Sequence, residues 1–500
     1  MKKYFKFLLI ILTIGLAFCT KPLDEELYST VKIDDFYQNA EQSELAISGI
    51  YTELWNGYIY KNADYVRLGD FPGETMKVSG TGMDEHDIFA WTVSNSRFQY
   101  LWSACYQGID RANQLIDRIA KSSVTDAVKN NAMGQAKFLR ALFYFDLVRA
   151  FGGVPLHINA TTSLADVAKP RNTSDEVYAQ IISDLKDSET LLSPFNAAKH
   201  KAGYATSGAA KALLAKVYLQ HKEWANAAAK AKELIDLNVY SLMKDYAQIW
   251  DPAYKNGSEQ IFSIQHNNGS DSNSNYGEHL VYLFCPKGYT YNGVGIQFAK
   301  DGTAFGQVEK AYFNSRPNTY RKWNTMRDRM PKYLKVGSTT WINDTIKLEE
   351  VEIVKYYFPD YTTGYLQTGV NFTILRYSDV LLTYAEALNE ANNGPTKEAY
   401  DAINKVRQRA RAVGTVYEQP ASLYPDLSGL TKEQFRKAIL DERAEEFIGE
   451  GERRNDLNRY DLLLTVGNNY NVTVKPEYVL YPIPSNELIL NPLLKQNPGY

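Results

Sequence analysis

The chain reads as mainly α-helical, a scaffold of repeated helix pairs interrupted by an irregular, loop-rich insert that carries short strands. Three observations lead there: a series of long amphipathic segments, a small-residue-and-tyrosine signature that recurs among them, and a change of texture between about residues 251 and 372. Apolar residues recur at helical spacing over about Ala40–Trp55, Arg97–Ile119, Ala127–Phe151, Ser174–Leu192, Ser207–Gln220, Trp224–Ile235, Tyr377–Ala391, Lys397–Arg411 and Lys432–Gly449. That period gives each helix one face to bury. Gly152-Gly153-Val154-Pro155 and Asn392-Asn393-Gly394-Pro395 punctuate the series, because Gly and Pro end a helix and reset the chain direction.

The helices share a faint repeat. Ala141 with Tyr144, Ala215 with Tyr218, and Tyr384-Ala385-Glu386-Ala387 each place a small residue within a turn of a tyrosine, and close helix packing needs the small residue. Lys222-Glu223-Trp224-Ala225-Asn226-Ala227-Ala228 then opens a second helix, as in a tetratricopeptide unit, so several such units are expected to stack as a solenoid. In the insert, Asn267 to Asn275 is a polar loop and Val351 to Tyr357 alternates like a strand. Long irregular segments on a rigid scaffold are where binding residues concentrate. The ligand surface is therefore expected in the insert, with the loop from Tyr58 to Trp91 as a second contributor. One compact domain is expected overall, divided into a signal peptide (1–18), an N-terminal helical part (19–250), the insert (251–372) and C-terminal helices with a tail (373–500).

The N-terminus points to a compartment. Lys2, Lys3 and Lys6 precede an apolar run from Phe7 to Phe18 that is short for a membrane span, the pattern of an export signal. A cysteine, Cys19, directly follows, and Leu16-Ala17-Phe18-Cys19 resembles a bacterial lipobox, although Phe18 stands where a small residue is usual. Lipid attachment at Cys19 is the expectation, since a lone cysteine at that border has no other ready explanation; cleavage after Ala17 would instead release a soluble periplasmic protein. Asp24, Glu25 and Glu26 resemble the acidic tag that sends some lipoproteins to the outer face. Of the other cysteines, Cys105 reads as a small buried hydrophobe, and its distance from Cys285 provides no metal or redox spacing.

Composition narrows the function classes. A hydrophobic fraction of 44% and a charged fraction of 23% are ordinary for a globular core. A net charge of −3 argues against nucleic acid, whose binders carry basic patches. The 37 Tyr, 21 Phe and 7 Trp exceed the usual needs of a helical core, and rings with a polar handle suit wet ligands such as sugars. No nucleophile elbow, phosphate loop or dinucleotide fingerprint occurs, and the six histidines are scattered at 86, 157, 200, 221, 266 and 279, without metal-ligand spacing. No catalytic residue, metal or cofactor is expected.

Several ordered motifs carry a resemblance. They are Gln135-Ala136-Lys137-Phe138-Leu139-Arg140-Ala141-Leu142-Phe143-Tyr144 with the stop Phe151 to Leu156, then Leu375-Arg376-Tyr377-Ser378-Asp379, Glu442-Arg443 with Glu445-Glu446-Phe447, Glu450-Gly451-Glu452-Arg453-Arg454, and the tail Tyr481-Pro482-Ile483-Pro484 to Tyr500. In these, over nearly the whole mature chain, the sequence resembles the SusD/RagB family of outer-membrane nutrient-binding lipoproteins. The resemblance implies a tetratricopeptide-rich fold, a lid-like role over a SusC-like TonB-dependent transporter, and a ligand that is usually a glycan and sometimes a peptide. It transfers no ligand residues. The charge-rich helix around Glu442, Arg443, Glu446 and Arg453 reads as architectural, at spacings that permit intrahelical ion pairs and contacts to neighbouring elements, as charge-rich helices are usually solvated faces and not acid–base sites, and the proline-rich tail reads as a strap on the solenoid.

A glycan site would stack sugar faces on rings and hydrogen-bond hydroxyls from planar polar groups. On that chemistry the candidates are Trp91, Tyr276, His279, Tyr289, Tyr291, Arg321 and Trp323, aromatic or planar polar residues on irregular segments. Peptide capture, which would rely on main-chain hydrogen bonds, and a scaffold without a small ligand are the alternatives; hydrolysis would need a carboxylate pair that nothing here singles out.

Overall fold

The structure, a computed structural model, describes residues 36–55, 59–60, 64–79, 85–163, 166–195, 201–266, 280–284, 286–291, 294–298, 303–331, 334–336, 340–342, 345–357, 369–469 and 474–500. Its helices in chain order are α1 (Ala40–Tyr51), α2 (Asp64–Asp70), α3 (Ser96–Ile119), α4 (Asp126–Phe151), α5 (Ser174–Leu191), α6 (Ser207–Gln220) and α7 (Trp224–Asp236). The insert adds three short ones, α8 (Leu280–Phe284), α9 (Lys310–Ser315) and α10 (Tyr320–Thr325). The C-terminal part has α11 (Tyr377–Ala391), α12 (Lys397–Ala410), α13 (Lys432–Phe447), α14 (Arg453–Arg459), α15 (Leu463–Asn469) and α16 (Ser485–Leu490).

Helices α3 to α7 each pack on the next in order. From α7 the array passes to α11, across the whole insert in sequence, and then to α12, so the stack is continuous in space though not in the chain. Local chemistry sets the boundaries. The Thr173 hydroxyl and Glu176 carboxylate form a reciprocal capping box that starts α5, and Thr431 with Gln434 does the same for α13. Gly152, at φ +72°, ends α4 in a backbone region that a Cβ disfavours. Expected and observed helix limits agree within a few residues, and α13 stops at Phe447 because Ile448 leaves helical geometry. The tight turn that follows has Gly449 and Gly451 at φ +81°. The Asp70 carboxylate holds that turn by accepting the backbone N–H groups of Gly449 (2.9 Å), Gly451 (2.9 Å) and Arg453 (3.1 Å).

The insert is more regular than its sequence texture implies. Antiparallel strands β1 (Met76–Val78), β5 (Gly306–Val308), β9 (Thr345–Ile353) and β6 (Met326–Pro331) form one sheet in that order. β10 (Phe372–Arg376) pairs with β2 (Gln260–Ile264), and β3 (Tyr289–Tyr291), β4 (Val294–Phe298), β7 (Leu334–Val336) and β8 (Thr340–Ile342) form a third sheet. β1 comes from the early loop, so that loop joins the insert through main-chain hydrogen bonds.

One apolar core runs through the array, with Phe138, Leu139, Ala141, Phe143 and Tyr144 fully buried. The charge-rich second half of α13, from Glu442 to Phe447, lies inside the molecule and not at a solvated face. Glu442, Glu446 and Arg443 are at most 1% exposed, and their partners come from elsewhere in the chain. Arg321 meets Glu442 (2.5 Å), Glu445 (2.9 Å) and Glu446 (3.0 Å); Arg407 meets Glu442 (2.9 Å); Arg376 meets Glu446 (2.5 Å), Glu450 (2.8 Å) and Glu259 (3.0 Å). Arg443 bridges Asp379 (2.7 Å) and Asp456 (2.8 Å). The contacts to neighbouring elements are as expected, whereas the intrahelical pairs and the solvated face are corrected, because sequence spacing does not show which side of a helix is covered. The tail is a strap as expected: Tyr481 donates to Leu68 O at 2.7 Å and Asn497 Nδ2 to Phe151 O at 3.0 Å.

Candidate ligand-binding surface

The sequence candidates separate by depth. Trp91 is 3% exposed; its Nε1 donates to the Tyr500 hydroxyl at 2.8 Å, and it packs edge-on to Tyr478 and Tyr481. It anchors the C-terminal tail and presents no face to a ligand. Arg321, 0% exposed, is held by the three α13 glutamates and ties the insert to the C-terminal helices. Both are core residues, which corrects their reading as ligand contacts: a ring or guanidinium on an irregular segment packs inward when that segment is itself covered. Tyr276 and His279 lie outside the described residues, as does Cys19. Tyr289 and Tyr291 sit on β3, in register with Ile296 and Val294 of β4.

Trp323 is different. It lies on α10, 38% exposed, in a helix started by Thr319, whose hydroxyl accepts the Lys322 N–H. Three residues earlier, on the same side of the helix, Tyr320 stacks on Tyr417 with ring centroids 5.0 Å apart and planes inclined by 13°. The Tyr320 hydroxyl donates to Asp245 at 2.8 Å, and Gln419 accepts the Tyr320 backbone N–H at 2.6 Å. The loop after α12 is thereby fixed against α10, leaving Tyr417 54% and Val416 93% exposed. The Arg327 guanidinium lies 4.5 Å from the centre of the Trp323 ring. Together these make an aromatic surface with a cation and an amide, Asn324, at its edge. Sequence reasoning singled out Trp323 but not Tyr320, Arg327 or Tyr417, which the structure brings near it. Arg327 is the one it could have found, four residues along from a candidate tryptophan.

A cleft of about 290 Å³ opens elsewhere, between the end of α1, the turn before α6 and the end of β2. Its walls include Tyr51, Trp55, Lys201, Tyr204 and Gln265. Tyr51 stacks on Tyr204 at 4.6 Å, with its hydroxyl donating to Gln135 at 2.5 Å, while Lys201 Nζ sits 3.9 Å over the other ring. Burial pushes the Tyr51 hydroxyl well above the usual tyrosine range, so it stays neutral. These residues escaped the sequence reading because each, taken alone, looks like helix packing. Among the described residues no group of three metal-ligating side chains occurs, and none of the helices is long and apolar enough to cross a membrane.

A continuous stack of helix pairs carrying a small-sheet insert, with rings left outside the core on the insert side, defines a helical-repeat binding scaffold. The chain belongs to the SusD family: residues 248–500 match the model of that family, and residues 25–219 match a second model described as starch-binding associating with outer membrane. It is 26% identical to SusD-like protein P25 of Formosa agariphila, over 96% of each chain. A crystal structure of a SusD homolog from Bacteroides thetaiotaomicron superposes with a TM-score of 0.79 at 24% identity, over 94% of this chain and 98% of that one. Surface glycan-binding protein A from the same species, in complex with laminarihexaose, superposes with a TM-score of 0.73 at 21% identity, over 92% and 99% of the two chains. These likenesses establish the mainly α SusD fold.

Proposed function

We propose that the protein captures oligo- or polysaccharide at the bacterial surface, anchored in the outer membrane by lipid on Cys19, and passes it to a partner TonB-dependent transporter. As a SusD-family member it is a binding protein and not an enzyme. The observation that carries the glycan reading is the exposed Trp323 indole beside the stacked Tyr320 and Tyr417. Sugar C–H faces stack on such rings while hydroxyls bond to amides and water at the edge. The match to a starch-binding model over residues 25–219 and the fold shared with a laminarihexaose-bound protein support the same class of ligand. Trp323 is the sequence candidate retained as a contact; Tyr276, His279, Tyr289 and Tyr291 stay proposed contacts of the same insert.

The test is affinity electrophoresis and calorimetry of the mature chain, lacking Cys19, against a panel of polysaccharides and protein-derived peptides. Retardation by a glycan, weakened about tenfold (~1.4 kcal/mol) by Trp323→Ala, is expected. Binding to peptides alone would replace glycan capture with peptide capture. Loss of membrane fractionation in Cys19→Ala would test the anchor, and co-purification with a TonB-dependent transporter the partner.

A further inference from the structure

Arg327, which is half-buried, stands apart from the deeply placed arginines of the described residues. Arg140, Arg149, Arg321, Arg376 and Arg443 each meet at least one carboxylate. Arg171 and Arg454 meet none, but spend their N–H groups on main-chain carbonyls, those of Gly153, Phe151 and Lys495 for the first and of Arg149 and Val479 for the second. Arg327 has one carbonyl, Trp323 O at 2.5 Å from Nε, and one marginal contact, from Nη2 to Asn324 Oδ1 at 3.5 Å. No ion pair forms there among the described residues. Burial pulls its pKa down to about 10, with only the phenols of Tyr357 and Tyr320 acting the other way. A guanidinium has five N–H donors in a rigid fork. Here most of them have no partner among the described residues, and the group is held in place by the indole beneath it.

We propose that the Trp323–Arg327 surface binds an anionic sugar, with the indole under the sugar ring and the guanidinium forked onto a carboxylate or sulfate. The proposal rests on the glycan-capture reading and names the chemistry of the glycan. A fork matches two oxygens of either anion, and a cation taken partly out of water without a counter-charge gains more from an incoming anion than an exposed one does. A neutral glucan would offer that group only hydroxyls. Asn324, whose Nδ2 donates to Tyr320 O at 2.9 Å, is placed to orient the next hydroxyl.

The experiment is calorimetry of the mature chain with three probes: an oligogalacturonate, a sulfated galactan oligosaccharide and a neutral laminarin oligosaccharide. Each is measured at low and high salt for the wild type, Arg327→Gln, Arg327→Lys and, as a control for loose charge attraction, Arg329→Gln, whose side chain is 52% exposed. Melting temperatures are recorded for every variant. One anionic probe should bind, lose at least tenfold affinity with Arg327→Gln, recover part of it with Arg327→Lys and weaken at high salt. The neutral probe should change less than threefold across the set. Which anionic probe binds decides between carboxylate and sulfate. Equal losses in Arg327→Gln and Arg329→Gln, or anionic binding that survives Arg327→Gln, would overturn the proposal. Binding of the neutral probe alone would sink this inference and leave glycan capture standing; silence across all three would sink both.

Discussion

Two tryptophan–arginine combinations show how depth decides role in this molecule. Trp91 and Arg321 sit where one segment is clamped by another: the indole lies under the C-terminal tail, and the guanidinium lies among three carboxylates of α13. Trp323 and Arg327 come from the same insert as Arg321, within two and six residues of it, yet the indole is exposed and the guanidinium meets no carboxylate among the described residues. The residue types are the same; what differs is whether another part of the chain comes to cover them. The covered pair gives the fold its connections, and the uncovered pair is free to meet something else.

The largest effect expected of any substitution is at Arg321. Arg321→Ala leaves Glu442, Glu445 and Glu446 buried without their shared cation, and breaking such a cluster costs roughly 3–5 kcal/mol. Denaturant titration should show that loss or outright unfolding; a change under 1 kcal/mol would dissolve the contrast between the two arginines. Trp91→Ala removes a buried indole and its bond to Tyr500, for a loss of about 3 kcal/mol, while glycan affinity measured well below the melting point should not change.

A third, intermediate effect depends on pH. Burial pushes the Glu352 carboxyl up to about 8 from its ordinary 4.5, despite the bond it accepts from Gln307 at 2.9 Å. Its other oxygen, Oε2, has no hydrogen-bond partner among the described residues. A carboxyl whose folded pKa is raised favours folding only while protonated, so its contribution is intact below about 4.5 and is lost as the pH climbs to 8. Glu352→Gln should therefore leave stability at pH 4 nearly unchanged and raise it at pH 9 by a few kcal/mol. An equal effect at both pH values would mean the carboxyl is ordinary. The smallest effect on folding belongs to the exposed rings: Trp323→Ala and Tyr417→Ala should each alter stability by less than about 0.5 kcal/mol, with the change showing in ligand affinity instead.

Much of the fold was readable because helical periodicity is local. α6 and α11 fall within the limits their apolar spacing predicts, and a capping box or a glycine marks several ends. The short α2 was read as loop: its seven residues are too few to show a period, and its burial comes from the turn at Gly449–Gly451 nearly four hundred residues away. The sheets of the insert escaped for a related reason, since strands such as β1 and β5 are three residues long and exist only through hydrogen bonds to strands distant in the chain. The site suffered most. Trp91 and Trp323 are equally aromatic and both fall in stretches whose sequence reads as irregular, and only their neighbours in space separate them.

The sequence by itself determined the helical class, the order and limits of the long helices, the tail and the family. These depend on spacing along the chain and on motifs that are read where they stand. The tertiary structure alone decided that the charged face of α13 is an interior ion cluster, that Arg321 is an internal tie, and that Trp323, Arg327 and the Tyr320–Tyr417 stack remain outside it. Whether a polar or aromatic group is buried depends on what folds against it from elsewhere in the chain, and in this protein those partners are about a hundred residues or more away from Arg321 and about four hundred from Trp91.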